Sequence, residues 1–161
     1  MALPAAASAG WTVPVTTTAS SHPAHLGQLS EAECWTLLHR SGLGRLATAA
    51  ASRADIYPVN YLVHDGTVLL RSAPGAKLDQ LTEAPEVAFE ADGHDAERYW
   101  SVVVRGHAHH LDDQADIIRS GVLELVSWVP DDKNEFIRIT PTSVVGRSLE
   151  RARFGRSSLF G

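Results

Sequence analysis

Three features of the sequence predict a mainly β (α+β) fold built on an antiparallel sheet with a few short helices. From Gly44 onward, short apolar runs alternate with turn signals. Asp65-Gly66 lies between two such runs, the pair that favours a tight hairpin. The run 98–111 is the longest extended stretch, and its segment Ser101-Val102-Val103-Val104 is too apolar to face water on both sides. That run is therefore predicted to lie centrally in the sheet.

Residues 1–26 carry Ala, Ser, Thr and Pro without a sustained period and read as an arm, in which Trp11 and Val13 either anchor to a body or fray. Order is predicted to begin at Leu29. Ser30 and Glu33 have capping-box spacing, and Leu29 can staple against Cys34. Cys34, Leu37 and Leu38 make the buried stripe of a short helix, which Ser41-Gly42 should end with a residue that tolerates a left-handed conformation. Strands are predicted at 45–51, 56–63 and 67–72, with a turn over 52–55 and the hairpin at His64-Asp65-Gly66. Ala73-Pro74-Gly75 breaks the sheet, and 76–82 reads as a helix with Leu78 and Leu81 inward. Strands at 86–91 and 98–111 flank a turn over 92–95. Residues 112–126 read as one helix with Ile117, Ile118, Val122, Leu125 and Val126 on its apolar face, and Pro130 marks its exit. Two closing strands, 135–140 and 143–148, flank Pro141, and an arginine-dotted tail follows. The division is an arm at 1–26, one domain at 27–149 and a tail at 150–161.

Composition narrows the function. A chain of 161 residues suits a single domain with a substantial core. With 14 Lys and Arg against 19 Asp and Glu, the formal charge is -5, so no positive field exists to hold a nucleic-acid backbone. The single cysteine, Cys34, rules out an internal disulfide and fits a reducing, cytoplasmic setting. No base stands beside it in sequence, and it reads as a small buried hydrophobe rather than a nucleophile. The opening MALPAAASAG lacks the basic and apolar regions of a signal peptide, and no uncharged apolar run approaches the ~20 residues of a membrane span.

The most informative stretch is Ile56-Tyr57-Pro58-Val59-Asn60-Tyr61 followed by Leu70-Arg71-Ser72-Ala73-Pro74-Gly75-Ala76-Lys77-Leu78. It predicts two strands and a glycine turn into a helix. The unpaired N–H groups and positive dipole of a helix start favour a phosphate, and Arg71, Ser72 and Lys77 add a planar fork, a hydroxyl and a point charge nearby. Solvated surface charges are the plain alternative for the same residues.

Five segments in order and spacing carry a resemblance: Gly44-Arg45-Leu46-Ala47-Thr48, Tyr57-Pro58-Val59-Asn60-Tyr61, Leu70 to Leu78, Val87-Ala88-Phe89-Glu90, and Trp100-Ser101-Val102-Val103-Val104-Arg105-Gly106. From about Leu29 to Ser148 the chain resembles the pyridoxamine 5'-phosphate oxidase-like FMN-binding split barrels, and within them the nitroimidazole-reductase-like branch. The resemblance implies a six-stranded antiparallel split β-barrel and a homodimer enclosing two FMN molecules at its interface. It also implies an FMN-dependent oxidoreductase that takes a hydride from a reduced nicotinamide to a small-molecule substrate. A deazaflavin coenzyme in place of FMN, or a non-catalytic flavin or haem-binding role, is the alternative.

By motif position, the cofactor-binding residues are Pro58, Val59 and Asn60 along the isoalloxazine edge, Arg71 and Ser72 near the phosphate, Lys77 on the phosphate, and Trp100 and Ser101 approaching across the interface. The catalytic residues are unknown. Ala76-Lys77 supplies one of the two basic residues of the true oxidase, that enzyme's C-terminal substrate motif is unmatched, and Arg71 stands where the nitroimidazole-reductase-like branch often has His.

Other groups read more plainly. His107 and His109 share one strand face at a spacing that could ligate a metal, but no Cys, Asp or Glu completes a recognised pattern, and an exposed strand end is expected. Arg147, Arg151, Arg153 and Arg156 read as a solvated terminus or as groups reaching a partner's cofactor. No Ser-His-Asp order, P-loop or dinucleotide-type glycine motif is present.

Overall fold

The computed structural model describes residues 26–50, 52–125 and 135–150, the side chains of residues 76 and 77 excepted. Strand β1 is Leu26–Leu29, followed by helix α1 at Glu31–Arg40 and strand β2 at Leu43–Ala50. β3 (Arg53–His64), β4 (Thr67–Ser72), α2 (Ala76–Glu83) and β5 (Glu86–His94) come next. β6 (Arg98–His110), α3 (Gln114–Arg119), a 3-10 turn at Val122–Glu124 and β7 (Glu135–Glu150) complete it. Among the described residues, no helix is long and apolar enough to cross a membrane.

Strands β7-β4-β3-β2-β5-β6 form an antiparallel ring that closes because β6 also pairs with β7. This is the six-stranded split β-barrel. β7 is long enough to serve both sides of the split. Its first half pairs with β4, from Ser72↔Glu135 to Val68↔Ile139, and its last residues pair with β1, from Leu29↔Gly146 to Leu26↔Leu149. β6 runs along its other edge from Arg98↔Glu150 to His110↔Ile137. Closure leaves few open edges on which other chains could pair.

Local chemistry explains the elements. In α1 the Ser30 side chain accepts from the Glu33 N–H, while the Glu33 carboxylate accepts from the Ser30 N–H at 2.8 Å. The turn between β3 and β4 has Asp65 at φ 47° and Gly66 at φ 66°, the two positive values that a type I′ hairpin requires. β5 alternates as predicted, with Val87, Phe89 and Ala91 inward. The barrel interior holds Leu46, Val59, Tyr61, Phe89, Val102, Val104 and Ile139, and α1 closes one end with Cys34, Leu37 and Leu38. Burial, with the charge of Glu33 next, pushes the Cys34 thiol up, as suits a packing residue.

Four local expectations are corrected. The first described element is the strand β1, ahead of the predicted start at Leu29, and its partner lies more than a hundred residues away, where no local period marks it. α1 ends without a left-handed residue: Ser41 is extended at φ -105° and its N–H donates to the Leu38 carbonyl. The helix expected at 112–126 is cut short, since Gly121 adopts φ 70° and turns the chain into the 3-10 turn. Val122 is still buried there, but Ile118 stays 61% exposed. The two closing strands are one strand. Pro141 is tolerated because β4 pairs only as far as Ile139, and a register shift at Arg105/Gly106 faces it on the β6 side. Gly106 makes that approach possible, since a Cβ there would lie 2.2 Å from the Thr140 carbonyl oxygen. The arm up to residue 25, Ala51, Val126, Pro130 and the arginines beyond Glu150 lie outside the described residues, while Leu26, counted with the arm, is the first residue of β1.

Candidate functional site

Side chains on β3, β2, β5, β6 and β7 that point away from the core form one outer face. Cross-strand register aligns Ile56 with Ala47, Ala88, Arg105 and Ser143 in one row, and Pro58 with Arg45, Glu90, Val103 and Val145 in the next. Ile56 is 70% exposed, and Leu43 and Val145 are also exposed. Within this apolar field Arg45 bridges Glu90 at 3.3 Å and also Asp92. Burial and the Asp92 charge push the Glu90 carboxyl up, against the pull of Arg45, while Asp92 and Glu90 hold the Arg45 guanidinium firmly charged.

The predicted site residues divide across the fold. Pro58 and Asn60 look outward from β3. Tyr61 and Leu70 are cross-strand partners, so their neighbours Asn60 and Arg71 share the outward face. The Arg71 guanidinium stands 5.8 Å from the centre of the Phe136 ring. Val59 points into the barrel and is buried. Ser72 is also buried, and its hydroxyl donates to the Ala73 carbonyl at 3.0 Å, so it does not share Arg71's face. Lys77 lies in the first turn of α2. Ser101 is outward on β6, whereas Trp100 is turned inward and packs on the core, its indole filling the space that a Cβ on Gly93 would need. Ser101 is three strands away from Asn60, roughly 14 Å at ordinary strand spacing. One chain therefore brings Pro58, Asn60 and Arg71 together and leaves Ser101 apart.

The start of α2 has features suited to an anion. Gly75 sits at φ 139°, no side chain caps the helix, and the space a Cβ would enter at Gly75 is open. A polar network fixes this helix. Gln80 donates to Asp55 at 2.8 Å and accepts from the hydroxyls of Thr48 at 2.7 Å and Tyr57 at 3.2 Å. Arg53 braces Asp55 from the other side at 2.9 Å. The Gln80 hydrogen bond, with those from Arg53, holds the Asp55 carboxyl below its usual range. Sequence reasoning does not find Gln80, because its partners come from separate elements and no local motif announces it.

His110 carries no sequence signal either. Its two ring nitrogens face the carboxylates of Asp112 and Glu135, joining the end of β6 to the start of β7. Partial burial opposes its charge, but the two carboxylates outweigh this and raise its pKa above the ordinary 6.5. The neighbouring His109 is pushed down by burial and by Arg138. A raised folded-state value stabilises the fold below the unfolded pKa, and the contribution is lost as pH rises through the folded one. A neutral imidazole has one N–H and leaves the other carboxylate facing a lone pair. The thermal stability of wild type should therefore fall by more than that of His110→Gln as pH rises above the ordinary histidine pKa. Parallel curves for the two proteins would show that the clasp carries no such linkage. His107, 54% exposed, stands 3.9 Å from Glu86 at the strand end.

Known proteins resemble this chain in both sequence and fold. The family model described as pyridoxamine 5'-phosphate oxidase matches residues 30–148. An FAD-binding protein from Mycobacterium smegmatis is 40% identical, covering 77% of this chain and 98% of its own, with a TM-score of 0.65. An FAD-binding protein from Mesorhizobium loti is 27% identical over 80% of this chain and 99% of its own, with a TM-score of 0.72. A Bacteroides thetaiotaomicron protein named for 5-nitroimidazole antibiotic resistance is 12% identical over 78% of this chain and 90% of its own, with a TM-score of 0.64, and shares the fold alone.

Proposed function

The chain belongs to the pyridoxamine 5'-phosphate oxidase family, and from that premise we propose that it is a cytoplasmic homodimer that binds a flavin, FMN in the first instance, at its subunit interface. The match over residues 30–148 carries this reading. Two of the similar structures are described as FAD-binding, and FAD contains the whole of FMN, so either flavin would present the same ring system and the same first phosphate to the chain. The outer face supports the dimer. A two-fold axis through it would set Ser101 of one copy against Pro58, Asn60 and Arg71 of the other.

The residues present fit such a cofactor. The uncapped start of α2 with its open space at Gly75 would take the phosphate, helped by Lys77 and Arg71. Asn60 would offer hydrogen bonds to the ring edge, Pro58 an apolar one, and Val59 would support them from within the barrel. Ser72 would act by its buried packing. A bound flavin supplies hydride chemistry, taking a hydride from a reduced nicotinamide and passing it to a small acceptor, while this chain orients it and shields it from water. The absorbance spectrum of the purified protein tests the cofactor class directly, and a spectrum of deazaflavin or haem would reject FMN.

The assignment of the phosphate is tested by Lys77→Ala. A hydrogen bond to a charged group contributes roughly 1.5–3 kcal/mol, so FMN affinity should fall by about 10- to 150-fold. Riboflavin, which has no phosphate, should bind wild type and variant alike. Equal FMN affinity in the two proteins would place the phosphate elsewhere.

A further inference from the structure

A cavity of about 540 Å³ opens beside α2, between it and the ends of β6 and β7, within the size range of small-molecule sites. Its floor is apolar: Leu78 and Leu81 of α2, Ala108 of β6 and Ile137 of β7. Its mouth carries the His110 clasp with Asp112 and Glu135. Glu135 is 28% exposed and Asp112 82% exposed, so the first carboxylate leans into the cavity wall and the second into water.

The sign of the mouth follows from its groups. Two carboxylates face the one imidazole of His110, and burial and Arg138 disfavour the charged form of His109, also at the mouth. No described lining residue is Lys or Arg. The Thr82 hydroxyl already donates to the Leu78 carbonyl. Among the described lining residues, an anion would meet net negative charge. A neutral apolar molecule would use the floor and leave the carboxylates to water. A molecule with an apolar body and a cationic head would satisfy both.

We propose that this cavity beside α2 is a second small-molecule site that takes an amphipathic organic cation such as a primary ammonium compound with a short hydrocarbon body. The body lies on Leu78, Leu81 and Ile137, and the ammonium group donates to Glu135, the carboxylate that leans into the cavity wall. The cavity adjoins the start of α2, where the phosphate is proposed to bind, but none of its described lining residues is a proposed flavin contact, so either reading can fail without the other.

The test uses the full chain and three probes of one size: hexylammonium, hexanol and hexanoate, followed by amide and methyl NMR shifts. Hexylammonium should shift Leu78, Leu81 and Ile137 saturably and bind about tenfold or more tighter than hexanol, with hexanoate weakest. Glu135→Gln keeps the shape of the mouth and removes one charge, and it should bring hexylammonium close to hexanol. Leu81→Trp should fill the cavity and abolish binding of all three. If that variant does not fold, the wild-type shift pattern and Glu135→Gln decide. Absence of binding, equal binding of the three probes, a preference for hexanoate, or shifts confined to other parts of the chain would overturn the proposal.

Discussion

Phe89→Ala is expected to lower the stability of the fold by about 3–5 kcal/mol, a large part of the ~5–15 kcal/mol that holds a typical domain together. The ring is fully buried and meets Tyr61 edge to face, with 4.7 Å between ring centres. Tyr61 in turn donates its hydroxyl to the Leu38 carbonyl at 2.9 Å, which ties α1 to the barrel. Burial pushes the Tyr61 phenol up to about 12, so it stays a donor throughout the working range. Gly44 completes the site, since a Cβ there would stand 2.4 Å from the Phe89 ring. Removing the ring thus opens a void bounded by β2, β3 and β5, and weakens the seat of the helix at the same time. Equilibrium urea unfolding measures the loss. A change under about 1 kcal/mol would mean that the surrounding side chains collapse into the space.

Ile56→Asp should dissociate the proposed dimer while leaving the monomer folded. Ile56 is 70% exposed in the single chain, so the substitution removes little from the core. In a two-fold interface each substitution is met twice, and an unpaired charge buried there costs about 2–5 kcal/mol, or roughly 30- to 5,000-fold in affinity. Sedimentation over a range of concentrations reads the association, and circular dichroism checks the fold. FMN affinity should fall with the dimer, because the proposed site takes Ser101 from one copy and Pro58, Asn60 and Arg71 from the other. A variant that remains a dimer would show that this face is not the interface. One that becomes a monomer and still binds FMN tightly would show that the site is complete in a single chain.

The sequence by itself determined what depends on near neighbours. Ser30 and Glu33 capped their helix, Asp65-Gly66 set the hairpin, Val87 and Phe89 alternated, and Gly75 opened α2, because each rests on dihedral preferences or periods within a few residues. The order of the five motifs was also legible, and with it the family. Tertiary structure alone decided features whose partners are distant in the chain. β1 exists because β7 offers it an edge, and β7 remains one strand across Pro141 because β6 carries a register shift at Gly106. Gln80 and His110 acquired their roles from residues that closure of the barrel brought beside them. Ser72 and Trp100, read as cofactor contacts, point inward because strand alternation fixes the face of every side chain once register is set. Register comes from pairing among strands far apart in sequence, and no local pattern contains it.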